Sequence, residues 1–564
     1  MTKQNFILQI AVAAPVRFAL DYLPPKDYNG KLMPGMRVRI PFRRNETIGI
    51  LLGIKTHSEI DSKRLKHAIT IIDTQPVIPA NLLSLIHWAS EYYHYPIGEV
   101  TNQILPTLIR QGRALAHHVT QTNYHRKENP HLLSTEQNIV VTEILQKTDE
   151  YHAFLLHGVT GSGKTEIYFH VIEQILSKQK QILVLVPEIA LTPQTLNRFK
   201  ARFDKSIVTL HSGLTDRERF DNWIAASNEQ ASIIIGTRSA VFTPIPKLGI
   251  IIIDEEHDSS YKQQDGFRYS ARDLAVMRAS KENIPIILGS ATPSLETYYN
   301  AKLQRYHYLH LSERAGIANL PHFNVIDIRN HRLDHGLSKP LIKTIHKHIE
   351  QGKQVLLFLN RRGYAPNLIC HQCGWSAKCK RCDTNLILHQ NPPRLHCHHC
   401  DSTRPVETQC PECHGKELIP LGLGTQRIET ALKKHFPSIG ISRIDRDSVR
   451  KKGALQEKLD DILSGKNQIL IGTQMLAKGH HFPNVSMVAI LDVDSGFFSA
   501  DIRASERLGQ LLIQVAGRAG REAETGEVWL QTRHPDHPLL LKLLVEGYTA
   551  FIETLLLERK QLGF

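Results

Sequence analysis

AFLLHGVTGSGKTEIYFHVIEQIL, residues Ala153 to Leu176, decides the class of fold. An apolar run of strand length enters a glycine-bearing turn and leaves with helical spacing. The turn GVTGSGKT, Gly158 to Thr165, fits G-x-x-x-x-G-K-[ST] in the strand–turn–helix setting that this motif needs. Glycines let the backbone curl until successive N–H groups face phosphate oxygens, with a helix N-terminus behind them. On this reading Gly158, Val159, Thr160, Gly161, Ser162 and Gly163 cradle the phosphates of ATP. Lys164 reaches the terminal phosphates and the Thr165 hydroxyl takes Mg²⁺. A chance glycine-rich turn would lack the strand before it and the helix after it.

Outward from this stretch, short apolar runs alternate with amphipathic helical segments: QILVLVP, ASIIIGT, LGIIIIDEE, IPIILGSA. The texture returns after residue 352 with QVLLFLN, QILIGTQ, VSMVAILDVD and EVWLQT. Such alternation predicts two α/β units, each a parallel sheet covered on both faces. The run LGIIIID stops in DEEH, Asp254 to His257, which puts carboxylates at the carboxyl edge of a parallel sheet, where ligands bind. Asp254 would hold Mg²⁺ and Glu255 would polarise the attacking water. GSATPS (Gly289 to Ser294) ends another apolar strand. In TEQ (Thr135 to Gln137), Gln137 is placed to read adenine. QVAGRAGR (Gln514 to Arg521) carries Arg518 and Arg521 three apart, on one helical face, where they would neutralise transition-state charge. Singly, each of these is a turn, a helix start or a basic helix. Their order along one chain is hard to reach by chance.

All 8 cysteines lie between residues 370 and 413, in four CxxC pairs: 370/373, 379/382, 397/400 and 410/413. A chain of 564 residues can build ordinary cores, so it has no need of a disulfide framework. MTKQNFILQIAVAAPVRF does not read as a secretory signal, and no window is apolar enough to span a membrane. The expected compartment is therefore the cytosol, where clustered thiols bind metal. Eight thiolates make two Cys₄ sites for two Zn²⁺, and spacing leaves their pairing open. His396, His398 and His399 adjoin two of the ligands as weaker alternatives. The net charge of +14, at a pI near 9.3, points to nucleic acid as a partner, with a generally basic surface as the plain alternative.

Residues 1–112 read as a small β-rich module. GMRVRIPF and ETIGILLGI are strands joined at RRN, ILQIAV and AITIID are further strands, and NLLSLIHWASEYYHY is a helix. Residues 113–130 read as a linker, 131–310 as the first α/β lobe, and 311–365 with 421–540 as the second. The cysteine-rich insertion takes 366–420, and a C-terminal helix takes 541–564.

DEEH, GSAT and QxxGRxGR together resemble superfamily 2 helicases. VPEIALTPQ (186–194), TRSA (237–240), LFLNRRGYAP (357–366), GLGTQRIE (422–429), GTQMLAKGHHFPNV (472–485) and the four CxxC pairs resemble the replication-restart family PriA, primosomal protein N′. The resemblance implies two RecA-like lobes, an N-terminal domain that captures a nascent 3′ end, and a zinc-binding insertion. It implies an ATP-dependent 3′-to-5′ DNA helicase that recognises stalled or abandoned forks. Its implied partners are DNA, other primosomal proteins, the loader of the replicative helicase and single-stranded-DNA-binding protein. It nests the zinc sites, with 379/382 and 397/400 sharing one ion and 370/373 and 410/413 the other. It marks HDSSYKQQDGFRYSARD (257–273) as an aromatic-rich loop coupling DNA to hydrolysis, with Tyr261, Lys262, Phe267, Arg268 and Tyr269 contacting DNA. It assigns the 3′-end pocket to Asp21, Gly35 and Lys66, with Leu20 where the family has an aromatic. Two departures stand out. Only the linker occupies the place of the family's winged-helix domain, and the chain stops at LERKQLGF, where the family continues into a further domain. A minimal or truncated version is expected. The rival class is a fork-binding zinc platform whose motor has decayed.

Overall fold

The computed structural model describes residues 6–563, apart from 27, 116–130, 189–192, 314–320, 330, 360–367, 371, 383–385, 391, 398–399, 421–424, 446–447, 450–453, 474–481, 483, 500 and 520–525. Most of the linker, most of LFLNRRGYAP and GTQMLAKGHHFPNV, the first three residues of GLGTQRIE, part of VPEIALTPQ, and Arg521, His398 and His399 lie outside the described residues. The chain packs as two compact units. One holds Met1–Gly158, Gly163–Ser290 and Asn300–Leu311, and the other holds Val159–Ser162, Ala291–Tyr299 and Ser312–Phe564.

The first unit contains two sheets. The N-terminal one is antiparallel, in the order Leu20–Tyr22, Ile7–Ala11, Asn45–Lys55, Arg37–Phe42, Thr70–Ile71. Its hairpin turns at Arg43 and Arg44, where Arg43 takes φ 54°, as the expected RRN turn requires. The helix Ala80–Tyr92 follows, as its spacing predicts. The second sheet is parallel and seven-stranded. Its order is His307–Leu311, Ala153–Gly158, Ile286–Ser290, Leu248–Asp254, Gln181–Leu185, Ile233–Gly236, Ile207–Leu210. Ile250 to Ile253 are fully buried, because a central parallel strand is covered on both faces.

Helix Ala80–Tyr92 packs on helix Ala271–Glu282, so the small module and the parallel sheet share one apolar core. Arg37 ties the module together. Its buried side chain pairs with Asp73 at 2.6 Å and donates to the carbonyls of Ile109 (2.8 Å) and Arg113 (2.9 Å). A carboxylate and two carbonyls around it make a buried guanidinium tolerable.

The second unit is built on a six-stranded parallel sheet in the order His322–Asp327, Glu527–Thr532, Val485–Ile490, Gln354–Phe358, Ile469–Gly472, Ile441–Ile444. The cysteine-rich segment leaves and returns through one antiparallel pair, Leu368–Cys370 with Leu418–Pro420, and adds a three-stranded ribbon. The C-terminal stretch forms two helices, Pro538–Val545 and Gly547–Gln561, rather than one. The second lies so close to helix Ala504–Ala516 that a Cβ at Gly509 would stand 2.3 Å from the Phe551 ring.

Candidate functional site

Gly161 and Gly163 hold φ angles of 85° and 82°, conformations that L side chains resist, and Gly163 starts helix Lys164–Ser177. A Cβ at Gly161 would meet nothing within 4 Å, so the turn faces open space. Lys164 Nζ donates to Gly158 O at 2.8 Å, folded back over its own turn. Within the second unit, helix Ala504–Ala516 ends before half-buried Arg518, which therefore stands in a turn rather than on the expected helical face, and a Cβ at neighbouring Gly517 would come within 2.6 Å of Thr160 Cγ2.

Asp254 ends the central strand of the first unit. Tyr168, one turn into the helix after the phosphate loop, donates its hydroxyl to Asp254 Oδ1 at 3.1 Å. Burial pushes the Asp254 carboxyl above its ordinary range, against the pull of the Lys164 ammonium and the Tyr168 hydroxyl. Glu255 takes φ 48°, a strained conformation for a glutamate, where the strand breaks into its turn. Its Oε2 is buried without a hydrogen-bond partner among the described residues, and His257 Nδ1 stands 3.6 Å away. His257 Nδ1 lies 2.6 Å from Ser290 Oγ of GSATPS. A carboxylate pair at the end of a strand, one with an unmatched buried oxygen, suits a hydrated divalent cation and a water in need of orientation.

Gln137 is nearly buried, and its side chain serves the helix start. Ser134 N–H donates to its Oε1 at 2.9 Å, and its own N–H donates to Ser134 Oγ at 3.2 Å. This is a capping box.

The aromatic loop corrects an expectation. Phe267 is 0% exposed, Tyr261 2% and Tyr269 6%. Phe267 sits among Tyr269, Tyr95, Tyr93 and Phe242, with ring centres 4.9, 5.5, 5.7 and 6.3 Å away. These rings are the seam between the N-terminal helices and the lobe, not outward stacking platforms, because a large apolar ring gains more from burial than from water. Tyr261 goes further. Its hydroxyl lies 2.7 Å from Asp254 O and 3.0 Å from Leu185 O, so it ties the loop to the strand end that carries the carboxylate. Lys262 and Arg268 do face outward, and Lys262 Nζ lies 5.3 Å over the Tyr93 ring.

In the N-terminal sheet, Asp21 is held by Lys55 at 2.7 Å and by the Ser58 hydroxyl at 2.5 Å. Neither partner carried a sequence motif. Exposed Lys66 is brought near by its carbonyl, which accepts from Leu23 N–H at 2.9 Å. Gly35 has φ 93°, and a Cβ there would stand 2.0 Å from Ile78 O, so glycine at this position serves the chain's own packing.

The cysteines form the two nested quartets: Cys370, Cys373, Cys410, Cys413 and Cys379, Cys382, Cys397, Cys400, each with its sulfurs within 4.8 Å of one another. The Sγ–Sγ separations are 3.5 Å for 370–413, 379–400 and 382–397 and 3.6 Å for 373–410. A tetrahedral ion with Zn–S bonds of about 2.3 Å sets its sulfurs about 3.8 Å apart, so both quartets fit zinc and neither is disulfide-bonded. Within the outer quartet the backbone N–H of Gly415 pulls the Cys413 thiol down to about 7, while burial pushes Cys373 up to about 12. His396 Nε2 lies 2.6 Å from Asp401 Oδ1, outside both quartets.

Four known families match parts of the chain. They are the 3′DNA-binding domain of PriA over residues 9–106, the DEAD/DEAH box helicase over 96–301, the PriA DNA helicase Cys-rich region over 379–405, and the helicase conserved C-terminal domain over 417–523. Proteins named replication restart protein PriA align along nearly all of it. The one from Haemophilus influenzae is 43% identical over 99% of this chain and 86% of its own length. The one from Rickettsia conorii is 39% identical over 94% and 81%, and the one from Chlamydia pneumoniae 35% over 96% and 83%. The Haemophilus alignment runs over 632 positions against 564 residues here, so that relative carries added residues within the matched span.

Proposed function

Because this chain belongs to the PriA family of replication restart proteins, with its helicase and zinc regions, we propose that it is an ATP-dependent DNA helicase that unwinds 3′ to 5′. On this reading it recognises stalled or abandoned forks and starts primosome assembly there, in the bacterial cytoplasm, beside other primosomal proteins and the helicase loader. Single-stranded-DNA-binding protein is a further proposed partner. Among the described residues no helix is long and apolar enough to cross a membrane.

The observation that carries the hydrolytic reading is the set Lys164, Tyr168, Asp254, Glu255 around one strand end. Lys164 would leave Gly158 O for the β- and γ-phosphates. The N–H groups from Gly158 to Thr165 would take phosphate oxygens. Thr165 and Asp254 would hold Mg²⁺, which neutralises charge on the phosphates when bound. Glu255 would turn its unmatched oxygen to the attacking water, and His257, bonded to Ser290, limits its travel. Arg518 and Arg521 would meet charge developing on the transferred phosphoryl group. Gln137 would read adenine with what its capping role leaves. At the DNA, Lys262 and Arg268 would hold phosphates, while Tyr261, Phe267 and Tyr269 act through the loop's packing. Asp21, kept in place by Lys55 and Ser58, would accept from a 3′-hydroxyl beside Lys66, on a turn shaped by Gly35. Each zinc would fix two knuckles of an insertion whose own apolar cluster, Leu368, Ala377, Leu386 and Leu395 with two of the cysteines, is small.

Forked DNA with a single-stranded arm of either polarity tests the reading. ATP-dependent unwinding from the 3′-ended arm alone supports it. Fork binding without any ATP hydrolysis would instead favour the decayed-motor platform.

A further inference from the structure

We infer that Tyr168 is a positioning residue for the metal-holding carboxylate, and that Gly289 is glycine to leave room for its hydroxyl. This rests on the proposed hydrolytic reading, in which Asp254 holds Mg²⁺. Three independent placements converge. Tyr168 lies on the helix that begins at Lys164, and its hydroxyl is 3.1 Å from Asp254 Oδ1. Asp254 and Gly289 are partners in neighbouring parallel strands, Leu248–Asp254 and Ile286–Ser290. A Cβ built on Gly289 would stand 1.7 Å from the Tyr168 hydroxyl oxygen and 2.9 Å from Cζ.

No side chain therefore fits at 289 while Tyr168 keeps its bond. Gly289 needs no unusual backbone angle, so conformational freedom does not explain the residue. Close approach does. The phenol is 3% exposed, and a buried hydroxyl without an acceptor would be costly, so its partner is not interchangeable with water. Holding one oxygen of Asp254 on a fixed donor fixes the rotation of the carboxylate and leaves its other oxygen for the metal. Partners of this kind, one shell behind a ligand, typically change metal affinity about 10- to 100-fold when removed. The arrangement also links two sequence motifs, GSATPS and DEEH, through a residue that belongs to neither.

The bland account is that Tyr168 is simply a packed ring. Tyr168→Phe separates the two, since it keeps the ring and removes only the hydroxyl. The measurement is binding of a fluorescent ADP analogue to the full chain, in EDTA and across a Mg²⁺ titration, with Asp254→Asn as reference. For Tyr168→Phe, affinity in EDTA should stay within about twofold, and half-saturating Mg²⁺ should rise about tenfold or more. Gly289→Ala should reproduce the rise in the Tyr168 background and add less in the Tyr168→Phe background, where the hydroxyl at 1.7 Å is gone and only Cζ, at 2.9 Å, still has to give way. An unchanged Mg²⁺ dependence in Tyr168→Phe, with Asp254→Asn strongly shifted, overturns the role of Tyr168 alone. An unchanged Mg²⁺ dependence in Asp254→Asn overturns the hydrolytic reading, and the inference with it.

Discussion

Phe267→Ala removes a ring that no water touches and that sits among four other aromatic rings. Truncating a buried phenylalanine costs about 3–5 kcal/mol, because the transfer term and the cavity term add. Here the cavity would open between helix Ala80–Tyr92, which brings Tyr93, and the loop that carries Tyr261 and Tyr269. The expected result is a local opening between these two elements. Each 1.4 kcal/mol is a factor of ten, so amide exchange in residues 80–95 and 261–275 should accelerate by roughly a hundredfold or more. Exchange in the six-stranded sheet of the second unit should stay as it was. Hydrogen-exchange mass spectrometry on the intact protein reads both regions at once. Because the Tyr261 hydroxyl holds Asp254 O, DNA stimulation of hydrolysis should fall with the lost protection. Unchanged exchange together with weakened binding to single-stranded DNA would refute this reasoning and return Phe267 to the surface.

Lys164→Ala should abolish DNA-stimulated ATP hydrolysis and leave fork affinity within about twofold, since the phosphate turn and the exposed loop cations are separate; fork affinity must be compared at one salt concentration. Metal analysis should find two zinc ions per chain, and Cys379→Ser should retain one, held by Cys370, Cys373, Cys410 and Cys413. Arg37→Met should destabilise the first unit by about 3–5 kcal/mol, seen as a lower urea midpoint, because Asp73 would stay buried without its cation.

The parallel sheets were legible because their strands are buried on both faces and read as unbroken apolar runs, as in LGIIIID. The phosphate turn and the cysteine quartets were legible because spacing itself carries their chemistry. The fate of Tyr261, Phe267 and Tyr269 was not. An aromatic interleaved with cations has the same local pattern whether it faces water or a helix nearly two hundred residues upstream. The deciding contacts, Tyr93 and Tyr95 on Phe267, are non-local. Tyr168 was hidden for the opposite reason. At its place in EIYFHVIEQIL it reads as one more apolar position of a core helix, and only its hydroxyl, aimed at Asp254, sets it apart. Lys55 and Ser58 escaped likewise, as ordinary polar residues that meet Asp21 only after the strands pair.

The cysteine-rich segment departs and returns on adjacent strands, with Ile369 opposite Ile419 and Cys370 opposite Leu418. Paired strands lie about 5 Å apart, a gap that a two-residue turn closes. The segment thus joins its host through one hairpin stem and meets it again where Gly374 lies beside His534. Beyond that second contact, the ribbon of Ile387–Gln390, Pro393–His396 and Thr403–Arg404 pairs only with itself, so it is the part that can be exchanged for a foreign one. Deleting that ribbon while the stem is kept is the cut that leaves the six-stranded sheet's own strands in sequence.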